Sequence, residues 1–549
     1  MKLVSIAEMR AIENEADSTG LTFDMMMENA GHNLSREVLQ LSYALDEEED
    51  IQVLGFVGPG NNGGDTLVAL THLAEKGWKA RAYLIKRKSS GDPLVKRLEN
   101  ADGEIYHADK DQDFQQLTAF LETADVVLDG ILGTGFKLPL KKDIAEILAV
   151  VNIILESIEG QPLIVAVDCP SGMDCDTGEA AEDCLVADAT VTLAAVKQGL
   201  LKLPAFDLIG ELRVVDIGPL DGLKSWSAIN NEVASDTSFS SLFPDRPTDA
   251  HKGTFGTALI VAGSVNYTGA ALLAGKAAYR VGTGLVTLAV PAPLHPILAG
   301  SLVEATWILL PHEMGSIASA AVEVLTNSLE QVSALLIGPG LGLENETKVF
   351  LEKLLDGTSG RIPHSRMGFV QANGTKYNQK TAILPPFVVD ADGLKLLAKI
   401  NDWPKLLPTK SILTPHPGEM SVLTGIPTEK IQQDRLKIAS DYSAQWGHVV
   451  VLKGAFTVIA SPDGYTTTIP IATPALARAG TGDVLAGVIT GLRAQGLNAY
   501  DSARLGAFIH AQAGLVAAEI LGSTAAVLAG DVLEAVADVV AELEWNIHG

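Results

Sequence analysis

Short apolar, β-branched runs alternate with helical stretches along most of this chain, and that rhythm restricts its possible folds more than any single motif does. IQVLGFVG (51–58) leads into a helix at 64–76. KARAYLIK (79–86), VVLDGIL (126–132), a helix at 143–157, LIVAVDCP (163–170), ATVTLAAV (189–196) and ELRVVDIG (211–218) follow. Such alternation predicts parallel strands covered by helices. The rhythm lapses over 220–249, where Ser, Asn, Asp and Pro displace apolar residues. It restarts with ALIVAG (258–263), GLVTLAVP (284–291), SALLIGPG (333–340), PFVVDADG (386–393), SILTPHPGE (411–419) and GHVVVLKG (447–454). A last helix puts Val532, Leu533, Val536, Val540 and Leu543 on one face of 531–545. We therefore expect an α/β protein of two domains, residues 1–222 and 245–549, joined by a linker at 223–244, with no repeat shared between them.

Composition narrows the function. The 549 residues are too many for a single small module. With 40 Lys+Arg against 67 Asp+Glu the formal charge is −27, which repels phosphate backbones and anionic headgroups, so neither nucleic acid nor membrane is an expected partner. Two long uncharged windows, 254–275 and 281–303, contain Asn266 with four glycines and Pro291, Pro293 and Pro296 respectively, and each reads as strand, turn and helix start. Glu8, Arg10, Glu13 and Glu15 stand where a signal peptide requires an apolar core, which points to the cytoplasm. Cys169, Cys175 and Cys184 are irregularly spaced with no His pair nearby, so reduced thiols are expected in place of a zinc site. The acidic run Asp46–Asp50 is expected to be a solvated loop.

Three segments of the first half carry chemistry. GPGNNGGD (58–65) follows a strand and opens a helix, so its glycines would free the backbone and its amides would face an anion such as a diphosphate. DGILGTGFKLP (129–139) ends a second strand with Asp129 and continues with glycines, a hydroxyl and Lys137. VDCPSGMDCDTG (167–178) puts Asp168 and Ser171 at a strand's carboxyl end, where open α/β sheets bind ligands, and makes Asp168 the candidate proton carrier. In order and spacing, and with SIAEMRAIENEA and MMENAG before them, these segments resemble the NAD(P)HX epimerase (YjeF N-terminal) family over about residues 1–220. The resemblance implies a Rossmann-like three-layer sandwich that epimerises hydrated NAD(P)H at the ring carbon bearing the hydroxyl. It further implies that Asn61, Asn62, Gly63, Gly64 and Asp65 contact the dinucleotide, together with Gly133, Thr134, Gly135, Phe136, Lys137, Leu138 and Pro139. Asp168 would contact the hydrated ring, and Asn62, Asp129 and Ser171 would hold a potassium ion.

In the second half, AGTGDVLAG (479–487) is the strongest signal. Gly480, Thr481 and Gly482 present amides at a helix N-terminus, an anion hole for a phosphoryl group in transfer. Asp483 stands in the first turn, placed to accept a hydroxyl proton during in-line transfer. This motif resembles that of ribokinase-like phosphotransferases. HKGTFG (251–256), IGPGLG (337–342), Asp390 and Asp392, TPHPGE with His416 and Glu419, and Lys453–Gly454 lie at further strand ends or close-approach loops. HKGTFG, TPHPGE, Lys453–Gly454 and AGTGD, in that order, resemble the ADP/ATP-dependent NAD(P)HX dehydratase family over about residues 245–545. That implies a ribokinase-like three-layer α/β/α domain that dehydrates S-NAD(P)HX with ADP, giving NAD(P)H, AMP and phosphate. Gly340, His416 and Asp483 would contact the hydrated nucleotide, and Lys453, Gly454, Ala455, Phe456, Thr457 and Gly482 the ADP or ATP, with Mg²⁺ beside the phosphates.

Residues 357–386 run longer and more polar than this family suggests, as a flap, a surface excursion or an oligomer contact whose Arg361, His364, Arg366 and Lys376 are solvated. Together the halves predict a cytoplasmic, homo-oligomeric repair enzyme for NADHX and NADPHX. Two alternatives remain open from the residues: a vitamin-precursor or sugar kinase, and a first half that binds ligand without catalysis.

Overall fold

A computed structural model of the chain describes residues 1–44, 51–358 and 383–548. The acidic run at 46–50 and most of the 357–386 segment, including Arg361, His364, Arg366 and Lys376, lie outside the described residues. The chain divides into two compact units, Met1–Val233 and Ala234–Gly549.

The first unit begins with α1 (Ile6–Ser18), which Ser5 and Glu8 cap reciprocally, and α2 (Phe23–Leu41), capped by Thr22. The alternation then follows as β1 (Gln52–Val57), α3 (Asn61–Glu75), β2 (Lys79–Leu84), α4 (Pro93–Asn100), β3 (Glu104–His107), α5 (Gln115–Leu121), β4 (Val126–Gly130), α6 (Lys142–Ser157), β5 (Leu163–Val167), β6 (Ala189–Leu193) and β7 (Glu211–Val215). These strands form one seven-stranded sheet in the order β3-β2-β1-β4-β5-β6-β7, with every pairing parallel. Because neighbouring strand residues point to opposite faces, Leu54 and Phe56 pack with residues of α5 and α6, while Val53 and Val57 pack with residues of α2, α3 and α4. The result is three layers, helices on both faces of a Rossmann-type sheet.

The second unit contains β8 (Thr257–Val261), α7 (Gly269–Arg280), β9 (Leu285–Pro291), β10 (Thr306–Leu310), β11 (Ala334–Ile337), α8 (Asn345–Thr358), β12 (Phe387–Val389), α9 (Asp392–Leu397), β13 (Ile412–Leu413), α10 (Pro417–Thr424), α11 (Arg435–Trp446), β14 (Val449–Leu452), β15 (Val458–Ala460), β16 (Thr466–Thr468), α12 (Thr481–Ala494), α13 (Ala499–Leu521) and α14 (Ala529–His548). Its strands run β16-β15-β14-β13-β12-β11-β8-β9-β10. They are parallel from β10 to β14 and antiparallel from β14 to β16. The faces alternate here too: Ala258 and Ile260 join the core under α7, α12, α13 and α14, and Leu259 and Val261 the core under α8, α9 and α11. In α14 the expected face is inward, with Val532, Leu533, Val536 and Leu543 buried and Val540 packed beside them. The two uncharged windows resolve into strand, turn and helix, and no helix among the described residues is long and apolar enough to cross a membrane.

The segment expected as a linker, 223–244, is built into the units. It forms a helical turn at Lys224–Ser227, a strand at Asn231–Val233 and a helix at Asp236–Ser240. Its polar residues mask a sparse apolar set: Leu223 and Ile229 join a first-unit cluster with Met9, Ile12 and Met26, while Phe239 and Phe243 enter the second core, where Phe239 stacks on Phe508 at 4.8 Å between centroids.

Candidate active sites

The register of the first sheet brings three strand ends to one edge, since Phe56 pairs with Asp129 and Asp129 with Ala166. Strand order reverses between β1 and β4, the place where open parallel sheets leave a crevice. A cleft of about 770 Å³ opens there, lined by all three segments singled out in the sequence. Asn61, Asn62 and Asp65 reach it, as do residues 133–137, Pro139 and Asp168. Gly63, Gly64 and Leu138 do not line it. Gly58 and Gly63 are needed for close approach of the protein to itself: a Cβ on Gly58 would lie 1.9 Å from the Ile131 carbonyl oxygen and one on Gly63 2.1 Å from that of Gly58.

Asp168 follows β5 in a left-handed conformation, φ 65°, that turns its side chain back toward β6. Its Oδ1 accepts from Thr192 Oγ1 at 3.1 Å, from the Leu193 amide at 3.0 Å and from Lys197 Nζ. Lys197 is buried and also donates to Thr192 Oγ1 and the Leu193 carbonyl, so its three protons are all placed. Among the described residues Asp168 Oδ2 has no hydrogen-bond partner, which leaves one carboxylate oxygen for whatever enters the cleft. Lys197 is the main site residue that sequence reasoning missed; the only signal was a lysine closing the apolar run ATVTLAAV. Replacing it by Met strands the Asp168 carboxylate without its counter-ion, and we expect the first unit to lose about 3 kcal/mol of stability, read as a lowered urea midpoint. An unchanged midpoint would remove Lys197 from this account.

Behind Asp168 lies a second network. Asp129 is fully buried; its Oδ2 accepts from the Ser171 amide at 2.7 Å and its Oδ1 from Ser171 Oγ, while Ser171 Oγ accepts from the Leu132 amide. Asn62 Nδ2 donates to the Leu132 carbonyl at 2.7 Å, leaving Asn62 Oδ1 buried without a partner among the described residues. Burial pushes the Asp129 carboxyl up to about 6, against the Ser171 hydrogen bonds that pull it down. An orphaned amide oxygen beside an uncompensated buried carboxylate is an all-oxygen environment suited to a hard monovalent cation. The same segment holds Cys169, Cys175 and Cys184, all free and buried.

In the second sheet Val389 pairs with Leu413 and Leu413 with Val450, so Asp390, Thr414 and Lys453 come to one edge. Asp390 Oδ1 accepts from Thr414 Oγ1 and Lys453 Nζ, each at 2.7 Å, and Asp390 Oδ2 is buried without a partner among the described residues. Lys453 Nζ also lies 3.7 Å from Glu419. Burial opposes the charge on Lys453, but Asp390, Glu419 and Asp483 outweigh it and raise the ammonium's pKa. Glu419 feels the opposite balance: burial raises its carboxyl, and His416 with Lys453 brings it down to about 2. Asp483 has burial and the Asp390 charge acting together, which lift it to about 7 despite Lys453.

A cavity of about 420 Å³ opens beside this cluster. Lys453, Gly454, Ala455, Thr457, Gly482 and His416 line it; Phe456 does not, because its amide donates to the Ile471 carbonyl and its ring is buried. Gly340 and Asp483 also fall outside the lining. Gly340, at φ 62°, packs against Tyr267 and Ala270, and Asp483 stands among the charges of Asp390, Asp392, Glu419 and Lys453. His416 has a structural task as well, since its Nδ1 accepts from the Gly418 and Glu419 amides and caps α10. Gly480 turns the chain into α12 at φ 93°, and Thr481 and Gly482 present that helix's N-terminus to the cavity. A second missed residue is His510 on α13, buried at the cavity wall, its Nε2 unpartnered among the described residues and its imidazole driven down to about 4 by burial.

A family model described as YjeF-related protein N-terminus matches residues 23–199, and one described as NAD(P)H-hydrate dehydratase matches 258–363 and 368–536. A protein of Moorella thermoacetica named bifunctional NAD(P)H-hydrate repair enzyme Nnr is 36% identical over 561 residues, covering 100% of this chain and 98% of the relative. Its namesake in Salinibacter ruber is 34% identical over 547 residues, 95% and 93% of the two chains. Among solved structures, an ADP/ATP-dependent NAD(P)H-hydrate dehydratase of Bacillus subtilis, co-crystallised with ATP/Mg²⁺, is 29% identical and covers 58% of this chain and 100% of its own, with a TM-score of 0.45.

Proposed function

The chain belongs to the bifunctional NAD(P)H-hydrate repair enzymes, and from that premise we propose how its two clefts divide the work. The enzyme interconverts the epimers of hydrated NAD(P)H and dehydrates the hydrate to NAD(P)H. The observation that carries the division is that the two family matches, 23–199 and 258–536, fall one on each unit, each on a sheet whose strand ends gather an acid-bearing cluster.

In the first cleft the dinucleotide lies along Asn61, Asn62, Asp65, residues 133–137 and Pro139, and the free Asp168 Oδ2 takes the proton of the ring hydroxyl. Asn62, Asp129 and Ser171 would hold K⁺, whose charge offsets that of Asp129 and fixes the loops on which the substrate rests. In the second, Gly340, His416 and Asp483 receive the S epimer, while Lys453, Gly454, Ala455, Thr457 and Gly482 receive the adenine nucleotide, ADP in the preferred case. Asp483 accepts the ring-hydroxyl proton as the terminal phosphoryl group passes to that oxygen. Phosphate then leaves with the carbon–oxygen bonding pair, the ring nitrogen's lone pair fills the gap, and loss of a proton from the adjacent carbon restores NAD(P)H. Hydroxide is a poor leaving group and phosphate a good one, which is why a nucleotide is consumed. Mg²⁺ would sit on the phosphates, with the unpartnered Asp390 Oδ2 as its protein oxygen, and would neutralise their charge.

The test is recovery of reduced-nicotinamide absorbance from a mixture of both epimers, with ADP and ATP supplied separately and phosphate assayed. Full recovery with release of free phosphate supports the reading; a stable phosphorylated product would replace it with a kinase. Because Asp483 must be ionised to act as a base, kcat/KM for dehydration should rise with pH through about 7. A profile flat across neutrality would rule Asp483 out as the base.

A further inference from the structure

Two carboxyl groups of the first cleft stand in opposite environments. Asp168 Oδ1 has three donors, one of them the Lys197 ammonium, a setting suited to a carboxylate. Asp65, in the first turns of α3, also lines the cleft and is 6% exposed, yet neither of its oxygens has a hydrogen-bond partner among the described residues. The groups facing it are Glu13 from α1, Asp168 after β5, Lys197, and Arg87 after β2. Both cations are committed elsewhere, Lys197 to Asp168, and Arg87 to Asp92 at 2.8 Å and to the Gly58 and Gly60 carbonyls. Burial, with the charges of Asp168 and Glu13 behind it, raises the Asp65 carboxyl well above the usual carboxylate range. A buried carboxyl without a donor and a carboxyl paired with an ammonium and two further donors thus line one cleft, a contrast of environments that suits an acid and a base.

We propose that Asp65 is a second catalytic residue of epimerisation, the acid that protonates the ring nitrogen while Asp168 takes the proton of the ring hydroxyl. The proposal rests on the epimerase reading of this cleft. The hydrated ring carbon bears both the hydroxyl and the ring nitrogen, so it is a hemiaminal. As Asp168 removes the hydroxyl proton, the oxygen lone pair forms a carbonyl and the carbon–nitrogen bond breaks. That bond's electron pair passes to the nitrogen, which takes the proton of Asp65. Rotation about the neighbouring carbon–carbon bond turns the other face of the aldehyde toward the nitrogen. On closure the nitrogen attacks, its proton returns to Asp65, and the new oxyanion recovers its proton from Asp168. Both carboxyl groups end as they began, and nothing is oxidised or reduced.

The test follows interconversion of the separated epimers by the full chain without nucleotide, so that dehydration is silent, from acid to alkaline pH. Wild-type kcat/KM should fall on the alkaline side as Asp65 loses its proton. Asp65→Asn keeps the shape and a donor group but has no proton to transfer. It should lower kcat by about 100-fold or more with KM little changed, and abolish the alkaline limb. Asp65→Glu should retain part of the rate and a displaced limb. An Asp65→Asn enzyme with wild-type kcat and the same alkaline limb would overturn the assignment. Should that variant fail to fold, read by the circular dichroism of the chain, Asp65→Glu decides: a limb that does not move is as damaging. Wild-type protein that leaves the epimers untouched would bring down the epimerase reading itself, and this assignment with it.

Discussion

An Asp168→Asn enzyme should repair one epimer of the hydrate and strand the other. The carboxamide matches the carboxylate in shape, and its oxygen retains acceptors' places opposite Thr192 Oγ1 and the Leu193 amide, so the cleft keeps its outline. What is lost is the basic oxygen, and positioned acid–base groups of this kind contribute about 10²- to 10⁴-fold, so epimerisation should fall by about 10³-fold. Dehydration relies on residues of the second unit and should be unaltered. With both epimers and nucleotide supplied, the absorbance trace should therefore show a fast phase equal to the usable epimer, then a crawl at the spontaneous rate of interconversion. Because the substitution leaves Lys197 without its counter-charge, the first unit should also be less stable, and the assay belongs well below its melting midpoint. A trace that runs to completion in one phase would show that another group carries the proton.

The complementary change, Asp483→Asn, should produce the opposite defect. Epimers would still equilibrate, but reduced nicotinamide would not appear, with kcat for dehydration down by about 10³-fold. Nucleotide affinity should change little, because the cavity is lined by Lys453, Gly454, Ala455, Thr457 and Gly482, and Asp483 is not among its lining residues. Separating the two constants matters: a rise in KM for nucleotide at unchanged kcat would make Asp483 a binding residue only. Mixing the two inactive variants should restore full conversion of both epimers, since each supplies the step the other lacks.

The parts of these sites that could be read from the sequence are those whose residues are contiguous at a strand end. Asn61 to Asp65, Asp129 and Asp168 each follow an apolar run, and a parallel sheet collects such ends at one edge whatever the loop details, while Asp483 was legible from the glycines that open α12. Lys197 was invisible for the converse reason: its meaning comes from a contact with Asp168, 29 positions away, and a lysine after an apolar strand reads as a solvated strand end. Gly63, Gly64, Leu138 and Phe456 sat inside the right segments but face away from the clefts, because a motif window does not record which way each residue points. His416 was read as a ligand contact, and its capping of α10 depended on a backbone geometry that no spacing states. Over 223–244 polar residues outnumber the Leu223, Ile229, Phe239 and Phe243 that carry the packing, so composition there does not report burial.

All three thiols of the chain sit, buried, in the one segment that also carries Asp168 and Ser171. Burial drives the Cys184 thiol up to about 12, so it is inert as well as hidden while the segment is closed. A maleimide or disulfide reagent added to the native enzyme therefore reacts only as fast as this loop opens, and nothing in the second unit contributes a background. The labelling rate is a built-in clock for local breathing around the epimerase carboxylate, and its slowing by substrate or by potassium measures, in free energy, how firmly each one latches that loop.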